Sequence, residues 1–299
     1  MTRPRSIAGA VFAAALLAAC GSGTSANPPA PTPAPKPGEP APPEPTTPGR
    51  GPAVGYKSVR AAAYRLERHD SLTLQYPGGA SQEQVRDRIA YLHVTVADAA
   101  APGTFNVTVL LDSLQALESG QPASPDSVLA ARGTHWTATL SSAAGLGPLT
   151  ADKQGTLPDE LTGRLRLLFP ALPAGGVREG MEWSDTTEYR LTADAFPGTE
   201  RAVTSYKAVA SDEAGAGKGL TLESTGSYQR TGTRTQADQV LEMSATGTRH
   251  QSHLVGLDGI LISAQGNDAG DMTITIPSVG QTVPVQQRGS YSVTSLSSR

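Results

Sequence analysis

From Tyr56 to the C-terminus the apolar positions recur with period two, the signature of a β-strand with one covered and one wet face. Leu72 and Leu74 alternate with Thr73 and Gln75, and the run stops at Pro77-Gly78-Gly79. Ala90, Leu92, Val94 and Val96 fall on one face, and Tyr91, His93 and Thr95 on the other. Phe105, Val107, Val109 and Leu111 repeat the pattern, as do Trp136, Ala138 and Leu140. Further strands are predicted over 181–192, 202–210, 220–229, 240–248, 272–276 and 289–296. The polar faces are mainly Thr, Ser, Gln and Arg, which suits an antiparallel sheet with a solvated side. Asp258-Gly259, between two short apolar runs, predicts a type I′ hairpin, because that turn needs positive φ.

One stretch has helical spacing instead. Pro158-Asp159-Glu160 opens a run with Leu161, Leu165, Leu168 and Phe169 on one face, and Pro170 and Pro173 close it. Proline fits a first turn, and the two acids complement the positive end of the helix dipole. Ser124-Pro125-Asp126 predicts a second, shorter helix with Ser124 as its N-cap. The expected fold is therefore mostly β. It is an antiparallel meander forming an open curved sheet, half-barrel or incomplete barrel, with one short central helix near 158–169.

Upstream of Tyr56 the pattern disappears. Arg3 and Arg5 precede a 12-residue apolar run, Ile7 to Ala18, too short for the roughly 20 residues that span a bilayer. The run ends in Leu17-Ala18-Ala19-Cys20, which resembles the lipobox of bacterial lipoproteins. That resemblance implies cleavage before Cys20 and acylation of its sulfur and new amino group, hence attachment to a membrane through acyl chains. Several chains give stable anchoring where one does not. Gly21 stands where inner-membrane retention signals usually carry Asp. In a source with two membranes, this implies an outer-membrane anchor facing the periplasm or the exterior. Twelve prolines then fall between Pro28 and Pro52, with no apolar face to bury, so this segment is expected to be an extended disordered tether. The chain divides into a signal peptide (1–19), an anchor and Pro-rich linker (20–55) and a β-rich domain (56–299).

Composition narrows the function classes. A net charge of −3 gives no reason to expect nucleic acid, and a single Cys excludes an internal disulfide or a Cys-based zinc site. Only 13 aromatics remain once Phe12 leaves with the signal, which favours an open sheet with a lined concavity over tightly filled cores. In architecture the domain resembles the half-barrels of bacterial lipoproteins that carry lipid or lipoprotein cargo. The stretch Leu172 to Trp183 is similar to one in functionally uncharacterised β-rich bacterial lipoproteins. Neither resemblance transfers a catalytic residue.

No nucleophile elbow, metalloprotease motif or phosphate-binding loop occurs. Ala214 to Gly219 only superficially resembles the last, since it lies between two strands and lacks Ser or Thr after Lys218. His250 and His253 are three apart on a strand and so point to opposite faces, which excludes chelation and leaves solvated histidines. Asn267, Asp268 and Asp271, read as a turn between strands, miss the spacing of a calcium loop. Glu182 and Glu188 share a polar face but lie roughly 20 Å apart, too far to act as a pair. Asp185 has the opposite parity, among Met181, Trp183, Tyr189 and Leu191, which marks either a buried carboxyl or a strand edge. Trp183 reads as a core anchor, with Gly180 turning the chain into its strand. Cys20 is thus the one assigned site, for lipidation, and no catalytic, metal or cofactor residue is assigned. The expectation is a lipid-anchored, non-enzymatic envelope lipoprotein that binds an envelope protein, peptidoglycan or an apolar lipid ligand. The alternative is an anchored hydrolase whose site, near His93 or His135, is assembled from distant residues.

Overall fold

The computed structural model describes residues 49–296 apart from Pro77, 142–144, Ala174, 192–195, 212–218 and Asp258. The signal peptide, Cys20 and the prolines up to Pro48 lie outside the described residues, as do Ala214–Lys218 and Asp258.

The fold is dominated by one strongly curled antiparallel sheet, open at its ends, as the period-two pattern predicts, beside a separate two-stranded sheet. The first run is β2 (Val59–Gln75), β3 (Ser81–Asp98), β4 (Thr104–Glu118) and β6 (His135–Ser141). Short strands β5 (Gln121–Pro122), β7 (Gly145–Leu146) and β8 (Thr150–Ala151) pair at its margin. The second run is β10 (Glu182–Leu191), β11 (Gly198–Ser211), β12 (Gly219–Gln236), β13 (Gln239–Gly256), β14 (Leu261–Ile276) and β15 (Gln281–Ser295). The last strand, β15, pairs with β2, so the two meanders fuse into one path from β10 to β7. Among the described residues no pairing joins β10 to β6 or β7, which leaves a half-barrel.

The helix joining the two runs is the plug of that half-barrel. Helix α2 (Thr156–Arg164) tightens into a 3₁₀ turn over Leu165–Leu168, and Leu157, Leu161, Leu165 and Leu168 are buried. Pro158 and Asp159 lie in the first turn, as predicted. Trp136, fully buried, donates its indole N–H to Thr162 Oγ1 at 2.8 Å. Arg166 reaches both open margins of the sheet. It donates to the carbonyls of Leu146 and Gly147 at 3.2 and 3.1 Å, and its guanidinium stacks 4.2 Å from the ring of Tyr189 on β10. An open sheet edge exposes unpaired backbone groups, and here the helical segment covers it. The shorter helix α1 (Pro125–Ala131) follows Ser124, whose side chain makes no capping bond.

Two boundaries differ from expectation. Strand β1 (Arg50–Val54) pairs with β9 (Val177–Glu179), so order begins inside the stretch 20–55 read as linker. Val54 is buried at 2% exposure, and this apolar contact repays the ordering that the prolines before it could not. Strand β14 also runs unbroken through Asn267, Asp268 and Asp271, which were expected in a turn. Its inward positions are Gly266, Asp268 and Gly270, so no apolar alternation shows in the sequence. Glycine is needed there because aromatic side chains lie flat on the strand. A Cβ at Gly266 would come within 2.6 Å of the Tyr291 ring, and one at Gly270 within 2.5 Å of the Tyr228 hydroxyl.

Candidate functional site

The sheet's two faces differ in chemistry, and the register shows how. One inward row crosses nine strands as Trp183, Tyr206, Ser224, Gln251, Gly266, Tyr291, Arg68, Arg88 and Ala116. Towards one end the neighbouring inward positions are apolar, with Leu222, Leu66 and Ala90 packed in the core with the plug. On the other side they are ionised. Arg68 donates from Nε to Asp70 at 2.7 Å and pairs with Asp268 at 2.7 Å. Arg164 of the plug reaches Asp70 at 3.2 Å, and Arg88 reaches Glu160 of the plug at 3.1 Å. Arg249 pairs with Glu200 at 2.7 Å and stacks over Tyr228 at 4.3 Å. Burial alone would raise the Asp70 carboxyl, but Arg164 and Arg68 outweigh it and hold it below the ordinary carboxylate range. The inward face is therefore charge-paired on this side and packed against the plug on the apolar side.

His253 belongs to the same interior. It is 2% exposed, donates from Nε2 to the Leu167 carbonyl at 3.1 Å, and leaves Nδ1 buried without a hydrogen bond. Burial pushes its pKa down to about 4, so the ring is neutral at pH 7. The expectation of two solvated histidines holds for His250, which is exposed on the outward face, and fails for His253. The parity argument against chelation stands, since the two point to opposite faces. Asp268 and Asp271 are split in the same way, and no group of three or more potential metal-ligating residues occurs among the described residues.

The outward face carries an open depression of about 870 Å³ across β10–β15. Each of the first five strands contributes two outward residues flanking one inward residue, and β15 contributes Ser290 beside Tyr291. The inward rows above and below take no part, so the depression is a valley between two outward rows with backbone for its floor. One row is Ser184, Ser205, Thr225, His250, Asn267 and Ser290. The other is Glu182, Lys207, Glu223, Ser252 and Gln265. Ser184 and Ser205 are hydrogen-bonded at 3.2 Å, and Lys207 stands 3.5 Å from Glu182. Strands spaced about 4.8 Å apart make the first row a polar ladder roughly 24 Å long and the second roughly 19 Å.

The residues weighed for chemistry separate. Trp183 is a core anchor, stacked on Tyr206 at 5.0 Å and donating to the Ala171 carbonyl, and Gly180 turns into its strand at φ +79°. Asp185 lies half-buried on the marginal strand β10, where desolvation raises its pKa. Glu182 and Glu188 both point outward. His135 is exposed and pairs with Asp152 at 3.2 Å, and His93 is exposed two strands away in the same row. The arrangement nearest to a catalytic triad is one the sequence did not suggest. Ser290, His69 and Asp87 are register neighbours, with His69 Nδ1 2.6 Å from Asp87 Oδ1. No hydrogen bond joins Ser290 to His69 among the described residues, and the His69 side chain is 56% exposed. These strands are also paired on both sides, so no free pair of backbone N–H groups is available as an oxyanion hole.

No family model matches the chain, and no curated protein is similar to it. Among solved structures, an outer membrane channel from Pseudomonas putida F1 aligns over 85% of this chain and 99% of its own at 9% identity and a TM-score of 0.26. That likeness is too slight to bear on this chain. The residues themselves argue against a lipid-facing sheet. Outward on β12 stand Glu223, Thr225, Ser227, Gln229, Thr231, Thr233 and Thr235, where a membrane barrel needs an apolar band about 25 Å tall.

Proposed function

We propose that this chain is a lipid-anchored envelope lipoprotein whose β domain is a non-enzymatic binding module for a polar envelope partner. Cys20 carries the acyl chains, the Pro-rich segment is the tether, and the outward valley over β10–β15 is the binding surface. The supporting observation is the contrast between faces: the inward side is plugged and charge-paired, while the outward side presents an open, polar-lined depression. Membrane fractionation tests the anchor, since Cys20→Ala should move the protein to the soluble fraction, and continued pelleting with membranes would refute it. An active-site serine probe tests the hydrolase alternative. The intact protein should remain unlabelled by a fluorophosphonate, whereas labelling of Ser290 that is lost in His69→Ala would make the protein an enzyme.

A further inference from the structure

We infer that the valley over β10–β15 binds a neutral, polyhydroxylated polysaccharide, an assignment that rests on the binding-module reading above and names its ligand class. The lining excludes the other common ligands in turn. A polyanion such as nucleic acid or a phosphorylated glycan needs Lys and Arg. Among the described residues the valley's one such cation, Lys207, stands beside Glu182 with Glu223 in the same row. An acyl chain needs an apolar lining, and a protein partner needs buried aromatic or aliphatic anchors. Trp183, Tyr206 and Tyr291 have the inward parity, so they give the valley their backbone, not their rings. Apart from Glu182, Lys207 and Glu223, the surface presents hydroxyl, amide and imidazole groups, among them Ser205, Thr225, His250, Ser252, Gln265 and Asn267. These groups both donate and accept, as a ligand that presents hydroxyls along its length requires.

Geometry adds two further reasons. A valley crossing six strands at about 4.8 Å is roughly 24 Å long, which suits a chain of rings better than a single small molecule. The Ser, Thr and Asn side chains of the first row are short and mounted on paired strands, so ordering them on binding fixes few rotamers.

Binding of the detergent-solubilised full chain to cellulose, chitin and purified peptidoglycan tests this, measured by co-sedimentation. Retention on at least one of these polymers is expected. It should weaken at least tenfold in Thr225→Arg and in Asn267→Ala, both exposed changes that leave the core untouched. Thr246→Arg, on the same outward face but outside the valley, should bind as the wild type does. Retention that is unaffected by the valley variants overturns the assignment. So does the absence of retention on all three polymers. If an envelope extract then still associates with the protein and Thr225→Arg abolishes that, the binding module survives and only the polysaccharide class falls. If Thr225→Arg alters no association of any kind, both fall.

Discussion

The buried His253 gives the sharpest test of the plugged interior. In an unfolded chain its imidazole titrates near 6.5, whereas in the fold desolvation holds it at about 4. Protons therefore bind the unfolded state first as the pH falls. Stability from this group is complete above pH 6.5 and declines between 6.5 and 4, the sign opposite to that of a salt-bridged histidine. At pH 4.5 the unfolded ring is almost fully protonated and the folded ring mostly neutral, a difference of about 2.5 kcal/mol. For a domain of about 250 residues that is a shift of roughly 5–10 °C in the midpoint. His253→Gln keeps an N–H to donate to the Leu167 carbonyl and removes the titration. Thermal denaturation followed by circular dichroism at pH 7 and pH 4.5 should show the wild type losing about 2.5 kcal/mol more than the variant over that interval. Asp70 is held below the ordinary range and contributes little in this window. Equal losses in the two proteins, or a histidine resonance from His253 titrating above pH 6 in the native state, would refute the buried neutral ring.

Other expectations concern the charge network, the margin and the inward glycines. Asp70→Asn leaves Arg68 and Arg164 without their shared carboxylate and should cost about 3–5 kcal/mol in urea unfolding; a loss below about 1 kcal/mol would mean that water already screens the cluster. Because the Asp70 carboxyl is depressed, its contribution is present above the unfolded value near 3.8 and is lost as pH falls below it, so the Asn variant should lack that acid-labile component. Arg166→Ala removes the bonds to Leu146 and Gly147 and the contact with Tyr189, so amide exchange should accelerate in β10 and β7 ahead of the central strands; uniform exchange would contradict a helix that covers the margins. Gly247→Ala drives a methyl to within 2.5 Å of both the Ala269 carbonyl and the Tyr228 ring and should destabilise by about 1–3 kcal/mol, measured by denaturant midpoint.

Much of this fold can be read in one dimension because a strand's alternation is a local property. The apolar parity at 90–96 and 105–111 matches the buried face of β3 and β4, and the helical spacing at 158–169 matches the plug. Reading fails where inward positions stop being apolar. In β14, Gly266, Asp268 and Gly270 hide the strand, because their partners are the Tyr291 ring, Arg68 and Tyr228 on other strands. A weaker signal existed for the ion network: Arg68 and Asp70 share the parity of Tyr64 and Leu66, so they are charged residues on an apolar face. The valley left no signal at all, since its Ser, Thr, Asn and Gln residues look like any solvated strand face until six strands align them.

The sequence alone determined the antiparallel class, the number of long strands to a first approximation, the helix in the middle, and the expectation of an acylated Cys20. Each rests on periodicity or on a short contiguous motif, which neighbouring residues suffice to specify. Only the tertiary structure decided that β15 pairs with β2, that the central helix packs its leucines into the core of the half-barrel, and that His253 is buried while His250 is not. Those outcomes depend on register between strands far apart in the chain and on where one helix lands. Long-range pairing and desolvation fix both, and neither leaves a trace in local sequence.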